Sequence, residues 1–218
     1  MTKMRKFKPV TLIALVVSVA LLGTTFAYLQ QIFPTKQNNF AGDNGRVNIG
    51  VVEYDSSGKR IFETGEGLEL TPNDDGTYSK YVDILNYDQA SYKTTDTLVR
   101  ARIVLSYVYN EDNAEYKGQV YPQTVSGFTL SGTTDDWYQK TETNGETYYY
   151  FKDILAPDDE TTRLLEKVTT TEAIPEGTHL QVQILADGVN VTGGDKYTNA
   201  KAAWNLSDYD IKTIYGVQ

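Results

Sequence analysis

Alternating apolar and polar side chains are the feature of this sequence that most constrains its fold. Between residues 99 and 109 the odd-numbered positions are apolar or aromatic, while Arg100, Arg102 and Ser106 lie between them. Residues 179–186 repeat the pattern. A period of two residues is typical of a β-strand with one buried face. Shorter stretches of the same kind occur at residues 47–51, 78–85 and 128–130.

Glycine-containing pairs that favour turns separate these stretches. The pairs are Asn44-Gly45, Ser57-Gly58, Asp75-Gly76, Asn144-Gly145 and Asp187-Gly188. Asn144-Gly145 predicts a two-residue type I′ turn that joins residues 137–143 to residues 146–151. That turn places Tyr138 opposite Phe151 and Gln139 opposite Tyr150.

Helical segments are few in this sequence. Residues 158–168 fit either a short capped helix or a loop that leads into a strand, and residues 199–204 fit one helical turn. Short strands at regular spacing with polar turns are typical of a sandwich or barrel. The sequence therefore predicts an all-β, antiparallel domain over residues 41–218.

A basic and then apolar leader precedes this domain. Four basic residues stand before an apolar run over residues 10–22, and Thr25 and Ala27 supply small residues at the −3 and −1 positions of a cleavage site before Tyr28. The alternative is a retained membrane anchor, which needs about 20 apolar residues, more than the strict run supplies. We therefore predict that residues 1–27 are a cleaved signal peptide and that the protein is secreted.

The net charge and the cysteine content limit the kinds of partner and chemistry that this protein can have. The chain has 20 Lys and Arg against 29 Asp and Glu, and loss of the four basic leader residues takes the net charge to −13. Such a surface argues against nucleic acid and against tight binding to anionic membranes as partners. The chain has no cysteine, so disulfides and thiolate chemistry are not available to it.

Few residues have a pattern that indicates catalysis. The single histidine, His179, falls on the polar side of a predicted strand, and neither a zinc-binding HExxH motif nor a Gly-x-Ser-x-Gly motif occurs. Acidic clusters at residues 73–76 and 158–160 lack the ligand spacing of an EF-hand loop. The sequence therefore predicts a binding or structural protein that is not an enzyme and carries no metal or cofactor.

Several motifs resemble those of one bacterial family. The end of the leader, Leu22-Gly23-Thr24-Thr25-Phe26-Ala27-Tyr28, is similar to the SipW-dependent signal sequences of Gram-positive bacteria. Asn39-Phe40 followed by Gly45-Arg46-Val47-Asn48-Ile49 resembles the opening of mature domains in the TasA/camelysin family. Further similar stretches, in the same order as in the family, are residues 98–103, 137–157, 164–168, 180–186 and 200–204. Asp158-Asp159 departs from the family pattern, which usually has glycine and glutamate there.

This resemblance implies a jelly-roll β-sandwich that a dedicated signal peptidase processes. It further implies a pilin-like subunit of biofilm matrix fibres, with a strand at the N-terminus of one subunit inserted into the next. The corresponding donor residues, within an N-terminal segment over residues 28–40, are Tyr28, Leu29, Gln30, Gln31, Ile32 and Phe33. The implied partners are other copies of the chain, and also a minor anchor or assembly protein or a matrix polysaccharide. The alternative for these residues is a segment that pairs with its own sheet or is a disordered remnant of the leader.

Two other functions remain open on the sequence. A surface adhesin or carbohydrate-binding module would use Trp137, Tyr138 and the tyrosines at 148–150 to stack on sugars; otherwise these aromatic residues belong to the core and to cross-strand pairs. The second function is a protease, because camelysin-type members have been assigned that activity. We do not expect it here, since the chain has one histidine and no recognisable set of metal ligands.

Overall fold

The computed structural model describes residues 46–61, 72–73, 76–88, 93–110, 112–113, 115–191 and 196–217. The predicted signal peptide over residues 1–27, with its cleavage-site residues Thr25, Ala27 and Tyr28, lies outside the described residues. The candidate donor segment also lies outside them, as do residues 41–45 at the start of the predicted domain. The described residues belong to one compact unit.

Within the described residues, ten strands form two antiparallel sheets. In the first sheet the spatial order is β2-β1-β3-β9-β6. Its strands are β1 (Ile49–Tyr54), β2 (Arg60–Ile61), β3 (Thr77–Asn86), β6 (Phe128–Ser131) and β9 (Leu165–Thr170). The bounds of β1, β3 and β6 confirm the strands predicted from the shorter alternating stretches.

The second sheet has the order β10-β4-β8-β7, with β5 paired to the far end of β4. Its strands are β4 (Thr97–Tyr109), β5 (Val120–Thr124), β7 (Trp137–Thr141), β8 (Thr147–Phe151) and β10 (Thr178–Asn190). β4 and β10 pair over their whole length, from Thr97 opposite Asn190 to Tyr109 opposite Thr178. The two long alternating stretches of the sequence therefore lie side by side.

The main core lies between the two sheets and confirms the predicted inward faces. On β4 the buried residues Val99, Ala101 and Tyr107 face this core, and on β10 Leu180 and Val182 do so. From the first sheet the core receives Tyr78, Val82, Ile84, Leu165 and Val168, among others. The predicted all-β sandwich is confirmed at this level.

The face of the first sheet that packs in the main core also carries a buried ion pair. Glu53 lies opposite Val82 in the β1–β3 register, on the same face as the buried Ile84. Its carboxylate accepts a hydrogen bond from the Lys80 ammonium, and the two side chains are 5% and 3% exposed. Removal of one partner from such a pair leaves a buried charge, which is costly.

A second core lies on the opposite face of the second sheet, under two C-terminal helices. These are α1 (Thr198–Trp204) and α2 (Asp208–Tyr215), and α1 confirms the predicted helical turn. Leu98, Tyr150 and Val189 contribute the sheet side of this core. The helices contribute Tyr197, Ala200, Trp204, Leu206, Ile211 and Ile214. This part of the second sheet is therefore buried on both faces.

Helix α2 has a capping box at its N-terminus. Ser207 Oγ accepts a hydrogen bond from the Asp210 backbone N–H, and the Asp210 carboxylate accepts one from the Ser207 backbone N–H. This reciprocal pair satisfies two donors that a helix N-terminus otherwise leaves open. This helix was not among the predicted elements, although Ser207 and Asp210 at the required spacing, followed by Ile211 and Ile214, indicate it in the sequence.

The predicted register of the β7–β8 hairpin was wrong by one residue. Trp137 lies opposite Phe151, Tyr138 opposite Tyr150 and Gln139 opposite Tyr149. The Gly145 backbone N–H donates a hydrogen bond to Glu142 O at 2.9 Å, and Gly145 has φ 86°. The loop therefore has three residues, 143–145, and not two. A three-residue loop with a left-handed glycine forms a bulge that shifts the pairing.

The predicted turn at Asp187-Gly188 was also wrong. Both residues lie inside β10, where they pair with Arg100 and Val99. A β-carbon on Gly188 would come within 2.7 Å of Val47 Cγ1 and 2.9 Å of Thr97 Cγ2. Close approach of neighbouring side chains, and not a turn, is the reason for glycine at this position.

Residues 158–168 adopt the loop-and-strand alternative. Asp158 has φ 65°, a left-handed conformation that glycine adopts readily. Its backbone N–H donates to Asn86 O at 2.6 Å, and its Oδ1 accepts from the Asp88 N–H at 2.9 Å. Aspartate at the position where the family usually has glycine is therefore compatible with a left-handed turn.

Candidate functional site: the β10 sheet edge

β10 forms one edge of the second sheet. It has 13 residues, and within the described parts of the chain β4 is the strand that pairs with it. Backbone groups on the other side of an edge strand point away from the sheet and can pair with an added strand. A long edge strand is therefore a candidate site for association.

The core is incompletely covered beside this edge. Leu180 and Val182 are at most 6% exposed, but further along β10 Ile184 and Ala186 are only partly buried. Their neighbours Ile103 and Leu105 on β4 are also partly buried, as are Ile49 and Val51 on β1. We call these six residues the half-buried row. An apolar segment added along β10 would remove more of this surface from water.

The other edge strands are short or carry protective residues. β2 has two residues, β6 has four, and β5 carries Pro122, which has no N–H to donate. On β7, Lys140 forms ion pairs with Glu142 at 2.7 Å and with Asp210 of α2 at 3.3 Å. Short strands, proline and edge lysine are common means of preventing unwanted pairing. Among the described edges, β10 is the long one without proline or lysine.

Arg100 of β4 links β10 to neighbouring strands and to a helix. Its Nε and Nη2 donate to Asp187 Oδ2 on β10 at 3.2 and 3.0 Å. The guanidinium carbon lies 4.4 Å from the Tyr148 ring centroid and 5.2 Å from that of Trp204. One side chain thus joins β4 to β10, to β8 and to α1, which holds β10 in a defined position.

His179 lies near the start of β10. It is half-buried, and its Nδ1 lies 3.0 Å from Asn110 Oδ1. The described residues contain no group of three or more His, Cys, Asp or Glu side chains placed to hold a metal ion. This part of the edge supplies a polar contact between β10 and the loop after β4.

Most of the aromatic residues named for the carbohydrate hypothesis are buried. Trp137 and Tyr149 are 6% exposed and pack in the main core, and Tyr150 is fully buried under the helices. Tyr138 and Tyr148 pack against the same second core. The three buried rings therefore have no face available for stacking on a sugar, whereas Tyr138 and Tyr148 are partly exposed.

Asp83 carries a shifted pKa on the other sheet. Burial raises the pKa of the Asp83 carboxyl, and the nearby Arg163 opposes that shift. Arg163 Nε lies 3.0 Å from Asp83 Oδ1, and its guanidinium carbon lies 5.2 Å from the ring centroid of Tyr54 and 5.4 Å from that of Tyr81. The arrangement is a packed cation between two tyrosines, which stabilises the sheet.

The described residues form an antiparallel β-sandwich with a helical cover on one face, and β10 is the last of the described strands in its sheet. Comparison with models of protein families, with curated proteins and with solved structures found no match to this chain. Within the described residues, no helix has the length and apolar character needed to cross a membrane.

Proposed function

We propose that this chain is a secreted structural subunit of extracellular biofilm matrix fibres, similar to the pilin-like members of the TasA/camelysin family. Copies join head to tail, with the segment over residues 28–33 of one copy added as a strand to the next. The observation that carries this proposal is the 13-residue strand β10 at the end of the second sheet, which pairs with β4 alone among the described strands and lies beside the half-buried row.

The donor segment has the chemistry that this edge requires. Leu29, Ile32 and Phe33 are apolar and would cover the half-buried row, at about 25 cal/mol for each Å² removed from water. The backbone of the added strand would pair with the outward N–H and C=O groups of β10, as in other cases of strand addition. Apolar burial and backbone pairing therefore favour the same geometry.

A contact of this kind produces a filament. The donor segment and the acceptor edge are different surfaces of one chain, so each added copy presents a new free edge. Such an interface does not close as a symmetric dimer. In a cysteine-free chain, inserted strands can supply cohesion that disulfides cannot.

A peptide experiment tests the acceptor edge directly. A synthetic peptide of residues 28–40 is added to the chain that begins at residue 41, and amide hydrogen exchange is followed by mass spectrometry. We expect saturable binding and slower exchange in peptides that cover β10. The control peptide has serine in place of Leu29, Ile32 and Phe33, and we expect it to have no effect.

Two results would contradict the proposal. Equal effects of the native and serine peptides would show that apolar burial does not drive the contact. Saturable binding with protection confined to β6 or β7 would show that the acceptor is another edge.

A further inference from the structure

Three tyrosines stack on one another where β4 passes into β5. The rings of Tyr109 and Tyr116 have centroids 5.2 Å apart and planes tilted by 31°. Tyr121 meets Tyr109 edge to face, also at 5.2 Å. We call these three residues the tyrosine ledge. It lies outside the β10 edge and takes no part in the proposed strand exchange.

Tyr116 is exposed and yet held in place. Its side chain is 41% exposed, although one face of the ring rests on Tyr109. Asn113 Oδ1 accepts hydrogen bonds from the backbone N–H groups of Glu115 and Tyr116 at 3.0 and 2.8 Å. A hydrogen bond to the Glu115 carboxylate raises the pKa of the Tyr116 hydroxyl. The ring and the backbone of Tyr116 are therefore held in place before any ligand arrives.

A fixed and exposed aromatic ring is suited to binding. Ordering a side chain costs free energy when a complex forms, and a ring that is already ordered avoids most of this cost. Tyrosine also combines a broad apolar face with a polar hydroxyl. Sugar rings present both kinds of group, with C–H bonds on a face and hydroxyls around the edge.

We propose that the tyrosine ledge is a binding site for a neutral polysaccharide. A pyranose ring stacks on the open face of Tyr116. The carboxylate of Glu115 and the exposed amide of Gln119 are the nearby groups in the sequence that can bond its hydroxyls. Glu115 and Lys117 flank Tyr116 with opposite charges, so the net charge of the chain, −9, is what disfavours acidic polymers.

Tyr209 provides the matched control. It is 77% exposed, more than Tyr116, and lies in the first turn of α2. None of the aromatic contacts among the described residues involves its ring. If exposure alone caused binding, Tyr209 would contribute more than Tyr116.

Affinity electrophoresis of the monomeric fraction of the protein tests this site. Native gels contain increasing amounts of hydroxyethyl cellulose or dextran as neutral polymers, and alginate as the acidic one. We expect retardation by at least one neutral polymer and none by alginate. Tyr116→Ala is expected to raise the dissociation constant at least about tenfold, and Tyr116→Phe, which keeps the ring, by no more than about threefold. Tyr209→Ala is expected to leave it unchanged.

The inference fails if neither neutral polymer retards the protein, or if Tyr116→Ala and Tyr209→Ala lower the affinity equally. Retardation by alginate equal to that by the neutral polymers would overturn the ligand class. Thermal unfolding of Tyr116→Ala separates loss of the site from loss of the fold. If this variant is unfolded, Tyr116→Leu decides, since leucine keeps an apolar side chain without the aromatic face and is expected to lose binding; binding equal to that of the wild type would overturn the inference.

Discussion

Arg100 and Asp187 lie directly opposite each other on β4 and β10, and Arg100 donates two hydrogen bonds to Asp187 Oδ2. The two partners are unequal in their surroundings. Arg100 is 15% exposed and lies over the rings of Tyr148 and Trp204, whereas Asp187 is 42% exposed. Most of the stabilisation therefore comes from the packed cation, because a half-exposed ion pair contributes little.

This difference between the two partners gives a prediction for three substitutions. Asp187→Asn is expected to lower the free energy of unfolding by less than about 0.5 kcal/mol. Arg100→Ala is expected to lower it by about 1–2 kcal/mol, because the contacts with both rings are lost. Arg100→Lys is expected to fall between them, since lysine keeps the charge without the planar fork. Urea unfolding measures all three, and an equal loss for Asp187→Asn and Arg100→Ala would contradict the account.

Gly188 gives a prediction about packing between β10 and β1. Gly188→Ala places a methyl group within 2.7 Å of Val47 Cγ1, and we expect a loss of about 1–3 kcal/mol in the free energy of unfolding. In the variant that also carries Val47→Ala, part of that loss should disappear, because the clashing methyl group is gone. Strict additivity of the two substitutions in thermal or urea unfolding would argue against direct contact.

The hairpin register can be tested by engineered disulfides, because the chain has no cysteine of its own. Thr141 lies opposite Thr147, and their hydroxyls are 2.9 Å apart. Cysteines at these two positions are expected to form a disulfide readily, as directly opposite residues meet the distance requirement. Cysteines at 141 and 148 are the control and match the two-residue turn. Faster oxidation of the control pair, measured by thiol labelling, would overturn the register.

The N-terminal cap of α2 gives a pH prediction. Ser207→Ala is expected to cost about 1 kcal/mol in the free energy of unfolding. Burial opposes ionisation of Asp210, but hydrogen bonds from Ser207 and the charge of Lys140 lower its pKa below the usual value of 3.8. A carboxyl with a lowered pKa stabilises the fold above pH 3.8 and loses that effect as the pH falls through its folded pKa.

The difference in stability between the wild type and Asp210→Asn should therefore be constant above about pH 5 and shrink below pH 4. Urea titrations at several pH values measure this difference. A difference that grows as the pH falls would contradict the assignment.

The sequence predicts the strands better than their connections. The alternation on β4 and β10 correctly identifies their inward faces, because a strand with one buried face has a strict period of two. It does not show that Leu98, Tyr150 and Val189, on the other face, are also buried, since that depends on helices distant in sequence. The one-residue error at Asn144-Gly145 arises because the same pair fits two-residue and three-residue loops.

The candidate site could be predicted only in part. The apolar residues of segment 28–33 are visible in the sequence, but no local pattern shows that β10 is an edge strand. That property depends on the order of strands in the sheet, which long-range pairing decides. The tyrosine ledge was not predicted for the same reason, because Tyr109, Tyr116 and Tyr121 meet only after β4 and β5 pair.

Electron microscopy of two purified chains tests the central claim most directly. One begins at Tyr28 and the other at Ala41, so that only the second lacks the donor segment, and size-exclusion chromatography is run beside the images. The account predicts filaments from the first chain and folded monomers from the second. Monomers from both chains, across the salt and pH range tested, or filaments from both, would contradict assembly by strand exchange through residues 28–33.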